Sequence, residues 1–308
     1  MKTQNKYLIT IIGPTAIGKT AMSLSLARHF NAEVISADSR QFFKEMTIGT
    51  AVPSKDELEA AKHHFIQNIS IFEDYSVGDF ERDAIAKLDE LFLTNNVVVM
   101  VGGSGLYIDA ILKGFDDFPD VDPSIRQQLI EDYEAKGIEY LQTELAKLDP
   151  VHYEKVAKEN PQRLMRALEV CIGSGRPYSS FLNIKKNSRS FTPIVIGLEA
   201  DRELMYDRIN RRVDIMVNEG LIEEAKTLYP HKALNALQTV GYRELFSHFD
   251  GEITLDFALE EIKKNTRRFA KRQMTWFKRT EGTKWFDFAT PPAEIINYIQ
   301  TQLHAHSS

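Results

Sequence analysis

The sequence predicts an α/β protein: a parallel sheet is flanked by helices, and an all-helical segment is inserted into this core. Residues 7–30 have the pattern of a strand, a glycine-containing loop and a helix. The run Val97–Val101 is apolar throughout, as in a parallel strand that helices cover on both faces. Residues 116–189 show helical patterns and no strand-like run, whereas strand character returns at Pro193. The helical segment is therefore an insertion between two parts of one sheet.

The individual elements follow from apolar periodicity and from the positions of Gly and Pro. Predicted strands cover 7–12, 33–37, 97–101, 193–198 and 285–288. Predicted helices cover 20–30, 56–62, 76–92, 124–136, 137–148, 150–158, 161–172, 201–219 and 255–279, and a further helix starts at 220. Ser76 or Asp79 is the expected cap of the helix over 76–92. The predicted domains are a core of 1–115 with 190–308, and an insertion of 116–189.

The loop after the first predicted strand fits the phosphate-loop (P-loop) pattern G-x-x-x-x-G-K-[ST] at every fixed position. It consists of Gly13, Pro14, Thr15, Ala16, Ile17, Gly18, Lys19 and Thr20. Glycines let backbone N–H groups turn towards an anion, and the helix N-terminus adds positive potential. Lys19 would reach the outer phosphate oxygens, and the Thr20 hydroxyl would bind Mg²⁺. The loop predicts a bound di- or triphosphate without selecting one; the alternative is a chance glycine turn.

Length and composition describe an ordinary globular protein. The chain has 308 residues, of which 43% are apolar and 27% charged, enough for one large domain or two. The formal net charge of −6 does not by itself indicate a nucleic-acid-binding protein, although a local basic surface is compatible with it.

Cysteine content and the apolar runs indicate the compartment. Cys171 is the single cysteine, so no intrachain disulfide can form, and its helical apolar context predicts a core thiol. No apolar run approaches the length that spans a membrane, and the first apolar stretch is already used as a strand. We therefore expect a soluble cytoplasmic protein.

Polar clusters follow two of the predicted strands, where open α/β sheets place their chemistry. Asp38, Ser39, Arg40 and Gln41 follow the second strand, and Gly102, Gly103 and Ser104 follow the strand over 97–101. Asp38 is the best candidate for a general base, because a carboxylate would lie near the predicted loop. A second-shell magnesium ligand and a helix cap are the alternatives for Asp38. The Ser104 hydroxyl could contact a ligand.

Two further groups of residues have a structural and a functional interpretation. The helix over 255–279 carries a run of cations that favours contact with a polyanion over a merely solvated face, and Phe269, Met274 and Phe277 are left for packing. The cations are Lys263, Lys264, Arg267, Arg268, Lys271, Arg272, Lys278 and Arg279. His63 and His64 are adjacent and cannot easily bind one metal, which favours structural or hydrogen-bonding roles.

Eight motifs in this order resemble the tRNA dimethylallyltransferases, also called tRNA isopentenyl transferases. The motifs are GPTAIGKT, ISADSRQ, IGTA, HHF, GGSGLY, NPQRLMRALEV, VGYRE and AKRQMTWFKR. They extend from about Ile11 to Arg279, nearly the whole chain. The P-loop occurs in many families, whereas DSRQ, PQR-x-x-RALE and KRQ-x-TW are far more specific in combination.

The resemblance implies a reaction and assigns residues to it. Dimethylallyl diphosphate would donate its alkyl group to N6 of the adenosine 3′ of the anticodon in tRNA, and diphosphate would leave. The P-loop, Arg126 and a Mg²⁺ ion bound by Thr20 would offset the charge on the leaving group. Asp38 would accept the amine proton, and Ser104 takes the place of the family's usual threonine. No other cofactor is implied.

The resemblance also implies that the enzyme binds the tRNA anticodon stem-loop and extrudes the target base. The residues implied in tRNA contact are Asp38, Ser39, Arg40, Gln41, Gln162, Arg163, Leu164, Met165, Arg166, Gln238, Gly241, Tyr242 and Arg243. The basic helix would add phosphate contacts along the stem. Val52 replaces a common lysine and Ile17 a small serine. We expect a monomer without a membrane partner.

Two other functions are compatible with parts of the sequence. The P-loop taken alone fits an ATP-dependent kinase of small molecules. An RNA-binding scaffold with a vestigial nucleotide site is the second alternative. The DSRQ motif and the arginine pair Arg163 and Arg166 argue against the kinase, and intact Lys19, Thr20 and Asp38 argue against the scaffold.

Overall fold

The computed structural model describes residues 5–116, 118–182 and 189–305. The chain divides into two compact units, one formed by Met1–Leu112 with Arg189–Ser308 and the other by Lys113–Ser188. The larger unit contains the P-loop and the sheet, and the smaller unit is helical in its described part. The tRNA contact that the sequence assigns to the smaller unit stays a prediction.

A parallel sheet of six strands in the described residues organises the larger unit. The strands are β1 (Tyr7–Ile12), β2 (Val34–Ser36), β3 (His63–His64), β4 (Val97–Val101), β5 (Thr192–Glu199) and β6 (Lys284–Asp287). Their order across the sheet is β3-β2-β4-β1-β5-β6. Every adjacent pair is parallel, so the carboxyl ends of all the strands lie at one edge. The predicted fold class, a P-loop NTPase-like parallel sheet flanked by helices, is confirmed.

Helices lie before, within and after the inserted segment. The first four are α1 (Lys19–Phe30), α2 (Lys55–Ala60), α3 (Val77–Leu91) and α4 (Gly105–Lys113). The smaller unit contains α5 (Pro123–Lys136), α6 (Ile138–Leu148), α7 (Pro150–Tyr153) and α8 (Pro161–Ser174). The last five are α9 (Arg202–Asn218), α10 (Leu221–Leu228), α11 (Tyr242–Phe249), α12 (Leu255–Phe277) and α13 (Pro292–Ala305). In the described residues, no helix combines the length and apolar composition that a bilayer span requires.

Alternation along the central strands explains why helices cover both faces of the sheet. In β1, Leu8 and Ile12 belong to one apolar cluster, whereas Ile9 and Ile11 belong to another. Successive side chains of a strand point to opposite faces, so a strand that is buried throughout needs apolar partners on both sides. The first cluster includes residues of α3 and α11, and the second includes residues of α1 and α13.

Most predicted elements of the larger unit are confirmed, within a few residues at their ends. Ser76 and Asp79 form a reciprocal capping box at the start of α3, so both candidate caps are used. β3, α4, α11 and α13 were not predicted, since three are short and the C-terminal segment lacks a distinctive motif. His63 and His64 form hydrogen bonds to Ala61 O and Glu33 Oε2, at 2.7 and 2.6 Å. The predicted hydrogen-bonding role of this pair is confirmed.

The smaller unit has its own apolar core, to which α5, α6 and α8 contribute Leu129, Leu141, Leu145, Leu164, Met165, Ala167, Leu168 and Cys171. The predicted burial of the Cys171 thiol is confirmed, and burial raises the pKa of this thiol. The predicted helix over 150–158 is wrong in length, since α7 ends at Tyr153. Its start is fixed by Asp149, whose carboxylate accepts hydrogen bonds from His152 N and Ser179 N.

Candidate active site

The P-loop connects β1 to α1 at the carboxyl edge of the sheet. Gly13 has φ of 150°, and a Cβ atom there would lie 2.6 Å from Leu198 O, so only glycine fits this close approach. Gly18 has φ of 106° and forms the N-cap of α1. The two fixed glycines of the motif are therefore required for different structural reasons. Together they place the loop before the helix N-terminus, as predicted.

Lys19 lies inside the turn of this loop. Its ammonium group donates hydrogen bonds to Gly13 O at 3.0 Å and to Pro14 O at 2.8 Å. Burial lowers the pKa of Lys19 to about 8; Asp38 opposes this shift and Arg212 adds to it. A lysine held in this way gains a strong electrostatic interaction when an anion enters the loop.

Asp38 follows β2 and lies next to the loop after β4. Its Oδ1 accepts a hydrogen bond from Arg40 N at 3.2 Å, and its Oδ2 lies 3.4 Å from where a Cβ atom of Gly103 would be. Ser104 Oγ accepts from Ser39 N at 3.0 Å and lies 3.0 Å from Ser39 Oγ. The structure thus brings Asp38, Ser39 and Ser104 together, as the parallel strand ends predict.

Arg40 and Gln41 both bind backbone carbonyl groups of neighbouring loops. Arg40 Nη1 donates to Asn235 O at 3.2 Å and to Ala236 O at 2.9 Å. Gln41 Nε2 donates to Thr50 O at 3.2 Å and to Ala51 O at 2.9 Å. Both side chains therefore fix loops in this structure, and their predicted contact with tRNA stays a prediction.

Gln273 joins the two loops that flank Asp38 and was not assigned a role from the sequence. Its Oε1 accepts from Thr15 N at 2.9 Å, and its Nε2 donates to Gly103 O at 2.9 Å. The Gln273 side chain is buried, and backbone groups satisfy both its amide oxygen and its amide nitrogen. The motif KRQMTW contains Gln273, but the sequence alone does not show which loops it contacts.

Two arginines of α9 also face the P-loop. Arg208 Nε donates to Ala16 O at 2.8 Å, and Arg212 lies close enough to influence Lys19. Burial lowers the pKa of Arg212, and Asp38 opposes this shift. The spacing of four places both side chains on one helix face. The candidate-site prediction omitted both, although this spacing in an arginine-rich helix is the signal that could have identified them.

Two cavities meet at Asp38. The first has a volume of about 690 Å³ and is lined by the P-loop, Arg208 and Arg212. The second has a volume of about 560 Å³ and is lined by the loop after β4 and by one face of α12. The residues that line both are Thr15, Ala16, Asp38, Thr50, Ala51, Arg212 and Met216. A carboxylate at this junction can contact reactants that enter from either side.

Residues 47–51 form part of the wall of both cavities, and Glu224 holds this segment. Its carboxylate accepts backbone hydrogen bonds from Thr47, Ile48 and Gly49, at 3.0, 2.8 and 2.8 Å. It also accepts from Tyr242 Oη at 2.6 Å. The Tyr242 ring packs against Gly49, where a Cβ atom would lie 2.5 Å from it.

This arrangement corrects one predicted tRNA contact. Tyr242 is fully buried, so its side chain cannot bind RNA and instead positions the segment 47–51. The N–H of Gly241 donates to Glu244 Oε2 at 2.9 Å, but Gly241 also lines the second cavity, so its contact with tRNA stays a prediction. Gln238 and Arg243 are exposed, and their contact with tRNA stays a prediction.

Replacing Glu224 with glutamine is expected to lower the free energy of unfolding of the larger unit by about 1.5–3 kcal/mol. The glutamine amide replaces one carboxylate oxygen with an NH₂ group. This hydrogen-bond donor would face backbone N–H groups, which are donors too and which the Glu224 carboxylate accepts from. Urea unfolding followed by tryptophan fluorescence measures this change, because Trp276 and Trp285 both lie in the larger unit. Glu223→Gln alters the exposed neighbour on α10 and should cost less than about 0.5 kcal/mol. Equal effects of the two substitutions would contradict the role of Glu224.

The predicted site residues of the smaller unit occupy two different environments. Gln162, Arg163 and Arg166 are exposed on α8, whereas Leu164 and Met165 are buried in the core of this unit. The prediction that Leu164 and Met165 contact tRNA is therefore wrong for their side chains, which pack inside α8. For the exposed three, contact with tRNA stays a prediction.

Arg126 was predicted to stabilise the leaving group and lies on α5 of the smaller unit. Its guanidinium donates to Gln162 Oε1, and its Nη1 lies 3.5 Å from Glu169 Oε2. Arg166 Nη1 lies 3.3 Å from the same carboxylate oxygen. Both cations therefore share one acid within the unit, and the role of Arg126 at the diphosphate stays a prediction.

The basic helix α12 is only partly available to a polyanion. Lys263 pairs with Asp214 and Glu260, Lys264 with Glu261, and Lys278 with Glu199, so these three are partly neutralised. Arg268, Lys271, Arg272 and Arg279 are exposed. Phe277 is buried as predicted, but the prediction that Phe269 serves packing is wrong, because 39% of this residue is exposed.

The residues present fit a magnesium ion that takes most of its coordinating oxygens from a bound phosphate group and from water. Thr20 lines the first cavity together with Ser36 and Asp38, which gives oxygen donors near the P-loop. Within the described residues, no group of three or more His, Cys, Asp and Glu side chains could bind a metal without a ligand. Mg²⁺ commonly takes one or two protein oxygens and completes its coordination with phosphate and water, which this donor set allows.

Comparison with known proteins identifies the class. Residues 41–280 match the family model described as IPP transferase. The tRNA dimethylallyltransferase of Flavobacterium johnsoniae is 68% identical over 304 residues, which cover 97% of this chain and 98% of the relative. The tRNA dimethylallyltransferase 1 of Bacteroides fragilis is 46% identical over 97% of this chain and 99% of its own.

Solved structures agree with these relatives. The tRNA isopentenylpyrophosphate transferase of Bacillus halodurans has a TM-score of 0.73 and 36% identity, covering 98% of both chains. A eukaryotic dimethylallyltransferase acting on tRNA has a TM-score of 0.78 and 26% identity, covering 93% of this chain and 75% of its own. The family model and these relatives show that the protein is an enzyme of the prenyltransferase class. The chain belongs to the IPP transferase family, which includes the tRNA dimethylallyltransferases.

Proposed function

We propose that the protein transfers the dimethylallyl group of dimethylallyl diphosphate to N6 of the adenosine 3′ of the anticodon in tRNA. The observation that supports this most directly is the position of Asp38, which lines both the P-loop cavity and the second cavity. The diphosphate would occupy the first cavity, and an extruded adenine would enter the second. The two reactants would then meet beside one carboxylate.

The cationic groups of the first cavity suit a diphosphate leaving group. Lys19, Arg208 and Arg212 all line this cavity, as do backbone groups of the P-loop. When the carbon–oxygen bond breaks, its electron pair leaves with the diphosphate, and these groups stabilise the negative charge. Mg²⁺ bound through the Thr20 hydroxyl would add positive charge at the same oxygens when present.

Asp38 suits the other half of the reaction. The N6 lone pair forms the new bond to the allylic carbon, and the amine then carries a surplus proton. An exocyclic amine on an aromatic ring is a weak nucleophile, so a carboxylate that accepts this proton assists the attack. Ser104 and Ser39 lie on the same side of the cavity wall, where their hydroxyl groups can form hydrogen bonds to the purine.

Incubation with labelled dimethylallyl diphosphate and bulk tRNA, followed by nucleoside analysis, tests the proposed function. The expected product is a single labelled adenosine derivative, and labelled ATP in parallel should transfer no phosphate. Transfer of phosphate from ATP to a small molecule, without alkylated tRNA, would overturn the proposal in favour of a kinase.

Compartment and assembly state are part of the same proposal. Because tRNA is the proposed acceptor, we place the activity in the cytoplasm, which agrees with a single buried cysteine. The expected monomeric state stays a prediction.

The neutral amine form of Lys19 is expected to take up a proton when dimethylallyl diphosphate binds near pH 8. Burial lowers the pKa of Lys19 to about 8 in the free protein, so about half of the molecules are neutral there. An anion in the P-loop favours the charged form and raises this pKa again, and affinity should fall as pH rises above this value. Calorimetry in two buffers of different ionisation enthalpy measures the uptake. Lys19→Arg carries a permanent charge and should show no proton uptake. Equal uptake by the wild type and by Lys19→Arg would contradict this role.

A further inference from the structure

Three large apolar side chains are exposed around the second cavity. Leu106, Phe269 and Trp276 have exposed fractions of 40%, 39% and 38%, and all three line this cavity but not the first. We call these three residues the apolar rim. Exposed apolar groups that cluster at a cavity mark a binding surface more often than scattered ones do.

The rim is held in place by its surroundings. Trp276 Nε1 donates to Asp109 Oδ2 at 2.8 Å, which fixes the edge of the indole ring. The ring packs over Gly105, where a Cβ atom would lie 2.4 Å from it. Phe269 lies seven residues earlier on α12 and therefore faces the same side of this helix. The two aromatic rings are thus presented by one rigid element, at a low cost in entropy to a ligand that stacks on them.

Positive charge surrounds the rim. Arg243 and Arg272 are exposed and line the same cavity, and the Arg272 guanidinium lies 5.8 Å from the Phe269 ring centroid. Of the described residues that line this cavity, four are arginines, and Asp38 is the one acid among them. Aromatic faces combined with arginines are the features that single-stranded RNA requires, because bases stack and phosphates pair with cations.

We propose that the apolar rim stacks an unpaired nucleobase next to the extruded adenosine, while Arg243 and Arg272 bind the adjoining phosphates. This inference rests on the proposed function and adds a base-binding subsite to it. The competing occupant is the dimethylallyl chain. Its diphosphate would lie in the first cavity, which the rim does not line, and the exposed rim would leave a reactive allyl group in contact with water.

The effect of Phe269→Ala on the binding of an anticodon stem-loop RNA tests the rim. Loss of one base–aromatic stack should weaken the affinity about tenfold, within a range of about 5- to 150-fold. Phe257→Ala is the matched control, because Phe257 is an exposed phenylalanine on the same helix that does not line the cavity. Its affinity should equal that of the wild type. Phe269→Leu keeps apolar volume without an aromatic face and should behave like Phe269→Ala.

Salt dependence separates stacking from charge. Phe269→Ala should leave the slope of log affinity against log salt unchanged, whereas Arg272→Ala should reduce it by about 0.7. 2-Aminopurine placed directly 3′ or 5′ of the target adenosine should lose fluorescence on binding at one of these positions, and Phe269→Ala should restore it.

The possible outcomes distinguish a failure of the proposed base-binding subsite from a failure of the proposed function. If the wild type alkylates tRNA but Phe269→Ala binds RNA as tightly as Phe257→Ala, the rim is not a base-binding subsite. Weaker binding of dimethylallyl diphosphate by Phe269→Ala, with unchanged RNA affinity, would assign the rim to the alkyl chain and overturn the inference. If the wild type does not alkylate tRNA at all, the proposed function itself fails.

Discussion

Replacement of Asp38 by asparagine is expected to lower the rate of alkyl transfer at least 100-fold, while the affinity for tRNA changes little. A positioned general base contributes about 10²- to 10⁴-fold to the rate, and the amide cannot accept the proton from N6. The amide keeps an oxygen that can accept the hydrogen bond from Arg40 N, so the loop after β2 should stay in place. Single-turnover transfer of labelled dimethylallyl groups measures the chemical step without product release.

The control for this prediction concerns Lys19. Asp38 raises the pKa of Lys19, so its removal lowers that pKa further and could weaken diphosphate binding at high pH. The assay is therefore run near pH 6.5, where Lys19 is expected to stay charged, and with saturating dimethylallyl diphosphate. An Asp38→Asn protein that binds both substrates but transfers at the wild-type rate would exclude Asp38 as the base. Equal loss of tRNA affinity and rate would instead assign Asp38 to RNA contact.

The parts of the site that the sequence predicts are those built from one continuous stretch. The P-loop motif determines its own strand, turn and helix, so the positions of Gly13 to Thr20 follow from the motif alone. The positions of Asp38 and Ser104 also follow, since each comes after an apolar strand and parallel strands end at one edge. The local sequence pattern and the sheet topology are sufficient to predict where these residues lie.

The parts that the sequence does not predict depend on contacts between distant segments. Gln273 lies 258 residues from Thr15, and nothing in the helical pattern of α12 indicates that its amide joins two loops. Tyr242 follows a glycine in a polar motif, which suggests exposure, but the side chain is buried and its hydroxyl donates to the carboxylate of Glu224. Leu164 and Met165 share a motif with two arginines, but a helix turns adjacent residues to different faces. A motif identifies the segment that matters without showing which of its side chains face the ligand.

Dimethylallyl diphosphate is expected to raise the melting temperature of the wild type more than ATP does, and Lys19→Ala should lose most of this protection. A ligand at 100 times its dissociation constant stabilises the folded state by about 2.7 kcal/mol, which corresponds to several degrees for a chain of this size. In the free protein the Lys19 ammonium donates hydrogen bonds to the carbonyl groups of Gly13 and Pro14, and burial disfavours its charged form. Its removal should therefore not lower the melting temperature without ligand, so a smaller shift in Lys19→Ala reports lost binding.

Inorganic diphosphate separates the anion from the alkyl chain in the same experiment. It should protect the wild type through the P-loop but less than dimethylallyl diphosphate does, because it leaves the junction with the second cavity empty. Lys19→Ala should lose protection by both ligands, since both place phosphate oxygens at the same ammonium. Stronger protection by ATP than by dimethylallyl diphosphate would indicate that the first cavity is built for a nucleotide, and unchanged protection of Lys19→Ala would remove Lys19 from the binding site.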